Sequence, residues 1–172
     1  MTAIEFAQRI ENLTPELNAF VGQPEGFGEI IISSLIVTPR EVHQKFDGSD
    51  CVLDLVYNFD TSSLSLDPYK FNSPENIVED EHYIFIGWRE AFPLVIRKDT
   101  NEILEVDWGT PSHIVSKQAK MQSAFLDALA EYAKISIEYI VGKISDSERH
   151  NKLLQVQLLA GGTDYFPIDD LL

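Results

Sequence analysis

The chain has 172 residues, 44% apolar and 24% charged, a balance that supports one packed domain and excludes wholesale disorder. Its 28 acidic side chains against 13 basic ones leave a formal charge of −15, which repels a phosphate polyanion, so no nucleic acid is expected as a partner. The longest near-apolar run, Ile30 to Val37, falls far short of the roughly 20 residues of a membrane helix; the acidic start Met-Thr-Ala-Ile-Glu lacks the basic region of a secretory signal, and the one cysteine, Cys51, forms no internal disulfide, so a cytoplasmic protein without membrane contact is expected.

Ala3, Ile4, Ala7, Ile10 and Leu13 share one stripe of a short amphipathic helix. Leu17, Phe20 and Val21 suggest a further turn before Gly22, Pro24, Gly26 and Gly28 impose a loop. That loop lacks the Lys-Ser/Thr of a phosphate cradle. Ile30 to Val37 follows it, is rich in β-branched residues, and reads as a buried strand. Thr38-Pro39-Arg40-Glu41 has the form of a capping box, which predicts a helix with Val42 and Phe46 on its buried face and Asp47-Gly48 as its stop. Val52 to Phe59 is too densely apolar to separate strand from helix by period, with a lean toward strand. Residues 60 to 82 read as a long loop or irregular insert.

Tyr83 to Trp88, Phe92 to Arg97 and Glu102 to Asp107 are three short strands joined by the hairpin-length links Arg89-Glu90-Ala91 and Lys98-Asp99-Thr100-Asn101, which predicts an antiparallel meander. Ile103, Leu104 and Val106 do not alternate, so the buried face of the third strand stays open, and Trp108-Gly109-Thr110-Pro111 is expected to end the sheet. Met121, Phe125, Leu129, Tyr132 or Ala133, and Ile140 then mark a long helix from near Ser116 that covers the sheet. After Gly142, Asp146 and Ser147 offer a cap for a last helix with Leu153, Leu154, Val156 and Leu158, stopped at Gly161-Gly162. The tail Thr163 to Leu172 carries Tyr165, Phe166, Ile168 and Leu171 among Asp164, Asp169 and Asp170. It is free to dock on its own domain or another chain, and is expected to be peripheral enough for its deletion to leave the fold intact. The fold class is therefore α+β, a central mostly antiparallel sheet packed against helices.

Tyr83-Ile-Phe-Ile-Gly87, Phe92-Pro-Leu-Val-Ile96, Asp99-Thr-Asn-Glu-Ile103 and Val106-Asp107 resemble the central signature of the SUKH superfamily, which takes in yeast cell-wall regulators of the Smi/Knr type and many bacterial toxin-immunity proteins. Ser123-Ala-Phe125-Leu126 is similar to that family's closing helix and Leu35 to Glu41 to its strand and capped helix, so the resemblance spans roughly residues 30 to 133. Asn101 stands where glycine is commoner, Arg89-Glu90-Ala91 replaces a Gly- and Asp-rich loop, and the N-terminal Leu-Pro motif is poorly matched. The resemblance implies one SUKH-like domain over residues 1–172, with the C-terminal helix and acidic tail (145–172) as an extension, and a non-catalytic role in protein binding.

The histidines His43, His82, His113 and His150 form no ligand pair of zinc-site spacing, and no nucleophile elbow, dinucleotide fingerprint or kinase set is present. Cys51, between Asp50 and Val52, reads as a small core residue, so neither an enzyme nor a cofactor is expected, and an enzyme with an unrecognised site is the third-ranked reading. Charge is the remaining signal: between Phe46 and His82 nine carboxylates face one base, Lys70. Such a surface complements and steers a basic partner. As the resemblance implies, the expected function is immunity against a cognate toxin, with a nuclease the natural fit because its cleft is basic. The alternative is a regulatory or scaffold domain binding an endogenous partner. Asp67, Glu75, Glu79, Asp80, Glu81, Asp99 and Glu102, with Trp88 and Trp108 as aromatic anchors, are the expected partner-binding residues, Tyr83 is a further candidate anchor, and the sequence leaves a homo-oligomer open.

Overall fold

Thr2 opens the first helix, α1 (Ala3–Glu11), through a capping box in which its hydroxyl accepts from Glu5 N–H and the Glu5 carboxylate accepts from Thr2 N–H. Those bonds hold the Glu5 carboxyl below its ordinary value. The helix buries Ala3, Phe6, Ala7 and Ile10, while Ile4, expected on that stripe, faces solvent. The computed structural model describes residues 1–41, 43–168 and 171; the expectations for Val42, Asp169, Asp170 and Leu172 lie outside them. Among the described residues five α-helices pack with an antiparallel sheet of six strands, an α+β fold, and no helix is long and apolar enough to cross a membrane.

The N-terminal third departs most from its sequence pattern. Ile30 to Val37 is not a buried strand: Phe27–Ser33 forms α2, Ile30 is exposed, and Gly28 lets the helix sit on the 3-10 turn Leu17–Phe20, where a Cβ would come within 2.8 Å of the Phe20 ring. The capping box at Thr38 opens no helix. Thr38–Pro39 (β1) pairs with Phe59–Asp60 (β2), because Arg40 N–H donates to Asn58 O at 2.8 Å and Arg40 Nε to Phe59 O at 3.0 Å. Phe46 lies against Tyr57 instead, with ring centroids 5.4 Å apart. Val52 to Phe59 is helical through Asn58 (α3, Cys51–Asn58), and its first turn is capped from outside: Gln122 Oε1 accepts from the N–H groups of Val52 and Leu53. Residues 60 to 82 contain two strands where a loop was expected, β3 (Tyr69–Phe71) and β4 (Val78–Glu79).

The meander is as expected. β5 (Tyr83–Arg89), β6 (Phe92–Arg97) and β7 (Ile103–Asp107) pair in sequence order, and β3 and β4 both pair with β5 on its other edge. Asn101, in place of the commoner glycine, takes the left-handed conformation at φ +63, which Asn tolerates best among side-chain-bearing residues. Trp108 to Pro111 does not end the sheet: the chain turns there into β8 (Thr110–Ala119), whose register shifts repeatedly against β7. β7 is buried on both faces, Ile103 toward the helices and Leu104 and Val106 toward a smaller cluster with Tyr83, Val95, Phe85 and Ile114, which explains why its sequence gives no alternation.

The long helix α4 (Gln122–Ile140) starts six residues after Ser116, which belongs to β8, and α5 (Asp146–Ala160) is capped by Ser145, one residue before the expected Asp146. α5 buries Leu153, Val156 and Ala160 but leaves Leu154 and Leu158 exposed. The tail is not peripheral. Phe166, Ile168 and Leu171 are buried in the same core as α1, α3 and α4.

β3 approaches β5 so closely that a Cβ on Gly87 would lie 2.1 Å from Lys70 O and 3.0 Å from Phe71 Cα. Backbone atoms cannot yield as a side-chain tip can. Gly87→Ala is expected to cost about 1–3 kcal/mol and to loosen β3, read as a lower urea midpoint together with a shift in Trp88 emission. An unchanged midpoint would contradict the observed spacing.

Candidate functional site

Where β5 meets β6, exposed aromatic side chains gather on the outer face of the sheet. A register shift between Phe85 and Gly87 places Ile86 in the main core, and beyond it Trp88 pairs across the strands with Pro93. Trp108, at the turn after β7, comes alongside: the two indole centroids are 5.6 Å apart at 31°, and Phe85 meets Trp108 edge-on at 6.1 Å. Val78 of β4 and the amides of Asn72 and Asn76 complete a cleft of about 380 Å³. Asn72 Nδ2 donates to Asn76 O and Asn76 Nδ2 to Ser73 Oγ, so the edge segment is internally braced. Trp108 is 66% exposed and Trp88 37%, whereas Tyr83, the further candidate anchor, is buried against Val95 and Leu104. Large aromatics exposed together are the informative case, since they leave apolar surface in water for a partner to cover.

The cleft stands on a rigid base. On the inner face, directly behind Trp88, Arg89 and Glu105 form a buried ion pair at 3.4 Å. Ser116 Oγ and Gln118 Nε2 donate to the same carboxylate oxygen, Gln118 Oε1 accepts from Tyr69 OH, and the Arg89 guanidinium lies 5.8 Å from the Tyr69 ring centroid. Burial pushes the Tyr69 phenol far above its ordinary pKa. β3, β5, β7 and β8 are thereby tied at one point.

Of the nine expected partner-binding residues, the structure brings Trp88 and Trp108 together and divides the carboxylates. Glu79 follows Val78 on β4 and pairs with Lys98 at 2.9 Å. Asp80 and Glu81 border a separate polar concavity with His82, Arg97 and Asp99. Asp80 Oδ1 accepts from the N–H groups of His82 and Tyr83 at 2.7 Å; slight burial raises its carboxyl, and these bonds outweigh that and hold it below the ordinary value. Asp99 pairs with Arg97 at 2.9 Å. Glu75 sits by Arg40 and Asp60 in another shallow cleft, its carboxyl lowered by the Ser73 hydroxyl. Glu102 is turned to structural work, accepting from Tyr165 OH and Thr100 Oγ1. Asp67 lies on the helical side, its carbonyl bonded by Tyr132 OH, in a groove between α2 and α4.

Phe85, Gly87, Val78, Asn72, Asn76 and Pro93 are the cleft residues that sequence reasoning missed, since no short-range pattern joins three separate segments. Cys51 is buried, and desolvation pushes its thiol up to about 11, far from the thiolate a nucleophile needs at neutral pH. Among the described residues no three His, Cys, Asp or Glu side chains gather where they could hold a metal ion. Comparison with family models, with curated proteins and with solved structures returns no match.

Proposed function

We propose that the chain is a non-catalytic protein-binding domain of the immunity type, one that neutralises a basic toxin domain, a nuclease being the natural fit, by covering the face with which the toxin holds its substrate. The resemblance of residues 30 to 133 to SUKH proteins supports the class. The observation that carries the reading is the exposed Trp88–Trp108 cleft on a chain of net charge −15. Aromatic anchors supply affinity and the acidic field supplies the encounter rate.

The test uses the wild-type chain and Trp108→Ala as baits in lysate of the native cells, at low and high salt, with mass spectrometry of what is retained. One basic partner is expected, weakened by salt and held about 30-fold less tightly by the variant, the loss of one hot spot of about 2 kcal/mol. Equal retention by the two baits, or capture of nothing basic, overturns the reading.

A further inference from the structure

We infer that the Trp88–Trp108 cleft takes an arginine side chain from a basic segment of the partner, stacked on an indole face; this rests on the protein-binding reading above and specifies its chemistry. The walls of the cleft, Phe85, Trp88, Trp108, Pro93 and Val78, are uncharged. Its borders are not. Asp107 adjoins Trp108, and Glu90 occupies the exposed β5–β6 turn two residues from Trp88. Against these two carboxylates stands Lys70, registered opposite Trp88, so the border keeps a net negative charge.

A cation entering there gains from both the border and the negative faces of the rings. The two indoles already lean on each other, leaving open faces instead of a slot between them, and an open indole face suits a flat group. Guanidinium is flat, weakly hydrated and stacks on tryptophan, whereas ammonium is a compact, strongly hydrated point charge. A neutral proline-rich strand would use the rings and ignore the border.

The chain's two tryptophans are both in the cleft, so emission excited selectively from tryptophan reads this site alone. The experiment titrates the full chain at low salt with three blocked peptides, one alternating Gly and Arg, its Gly-Lys counterpart, and an uncharged proline-rich peptide of equal length. The arginine peptide is expected to change the emission saturably and to bind at least about threefold more tightly than the lysine peptide. In Trp108→Ala, followed through Trp88 and checked by circular dichroism, that preference should vanish while weak charge-driven binding persists. Equal binding of arginine and lysine peptides, a preference that survives in the variant, tighter binding of the proline-rich peptide, or no saturable change overturns the inference. The protein-binding reading fails separately, if the arginine preference holds but the two lysate baits retain the same proteins.

Discussion

Glu105→Ala is expected to lower stability by about 3–5 kcal/mol, the cost of breaking a buried ion pair by removing one of its members. Arg89 and Glu105 have side chains only 4% and 2% exposed, and the Glu105 carboxylate also collects the Ser116 hydroxyl and the Gln118 amide. Removing it takes one shared acceptor from three donors at once. Replacing both charges is a different change: Arg89→Met with Glu105→Leu removes the desolvation cost together with the attraction, and such double replacements are commonly neutral or better. The double variant is therefore expected to unfold at a higher urea concentration than Glu105→Ala alone, a non-additivity that a double-mutant cycle measures directly. It should still fall below wild type, because Ser116 loses the Glu105 acceptor and Gln118 Nε2 keeps only the Ser116 hydroxyl. Since the pair lies behind Trp88, tryptophan emission should change in the single variant before the unfolding transition begins. A loss below about 1 kcal/mol would mean that the pair is solvated and that the cleft has no such base.

How much of this was legible in the sequence follows from what each signal measures. The β5–β7 meander was readable because its links are short and its aromatic and β-branched residues are local features. α4 was readable because one face stays apolar over its length. Thr38-Pro39-Arg40-Glu41 was misleading since a capping box describes only one helix end, and the competing pairing with Phe59–Asp60 lies 20 to 22 residues away. The β-branched run of α2 and the dense apolar run of α3 carried no decisive period, and Gly28 and Gln122 settle them through contacts of another segment. β8 was hidden by its exposure and its register shifts, which erase alternation. The site divides likewise. Trp88 and Trp108 were visible as residue types, but their exposure and their meeting depend on the bulge in β5. The acidic excess was visible, but not its division among ion pairs with Lys98, Arg97 and Arg40.

Ending the chain at Gly162 is expected to lower the melting temperature by at least about 6–20 °C, or to prevent folding, contrary to what a polar C-terminus suggests. Phe166 is fully buried, stacked on Tyr69 with centroids 5.5 Å apart and 5.9 Å from Tyr132. Its φ of +52 is a conformation that a bulky residue holds only when its surroundings demand it. Ile168 and Leu171 are buried beside it, Phe166 N–H donates to Lys117 O of β8 at 2.9 Å, and the Leu171 carbonyl accepts from Arg149 of α5. The segment thus closes the core over the ring that also bears on the Arg89–Glu105 pair. Loss of the phenyl ring alone, in Phe166→Ala, is worth about 3–5 kcal/mol by the usual cost of emptying a buried aromatic site. At about 2–4 °C per kcal/mol for a chain of this size, that sets the lower bound for the deletion. Differential scanning calorimetry of the full chain, Phe166→Ala and the truncated form decides the matter: a melting temperature within a few degrees of wild type for the truncated form would return the tail to the surface. If instead Phe166→Ala falls and the truncated form falls further, the residues around Tyr69 are one cooperative unit, and the aromatic cleft on the far face of the sheet depends on the last ten residues for its shape.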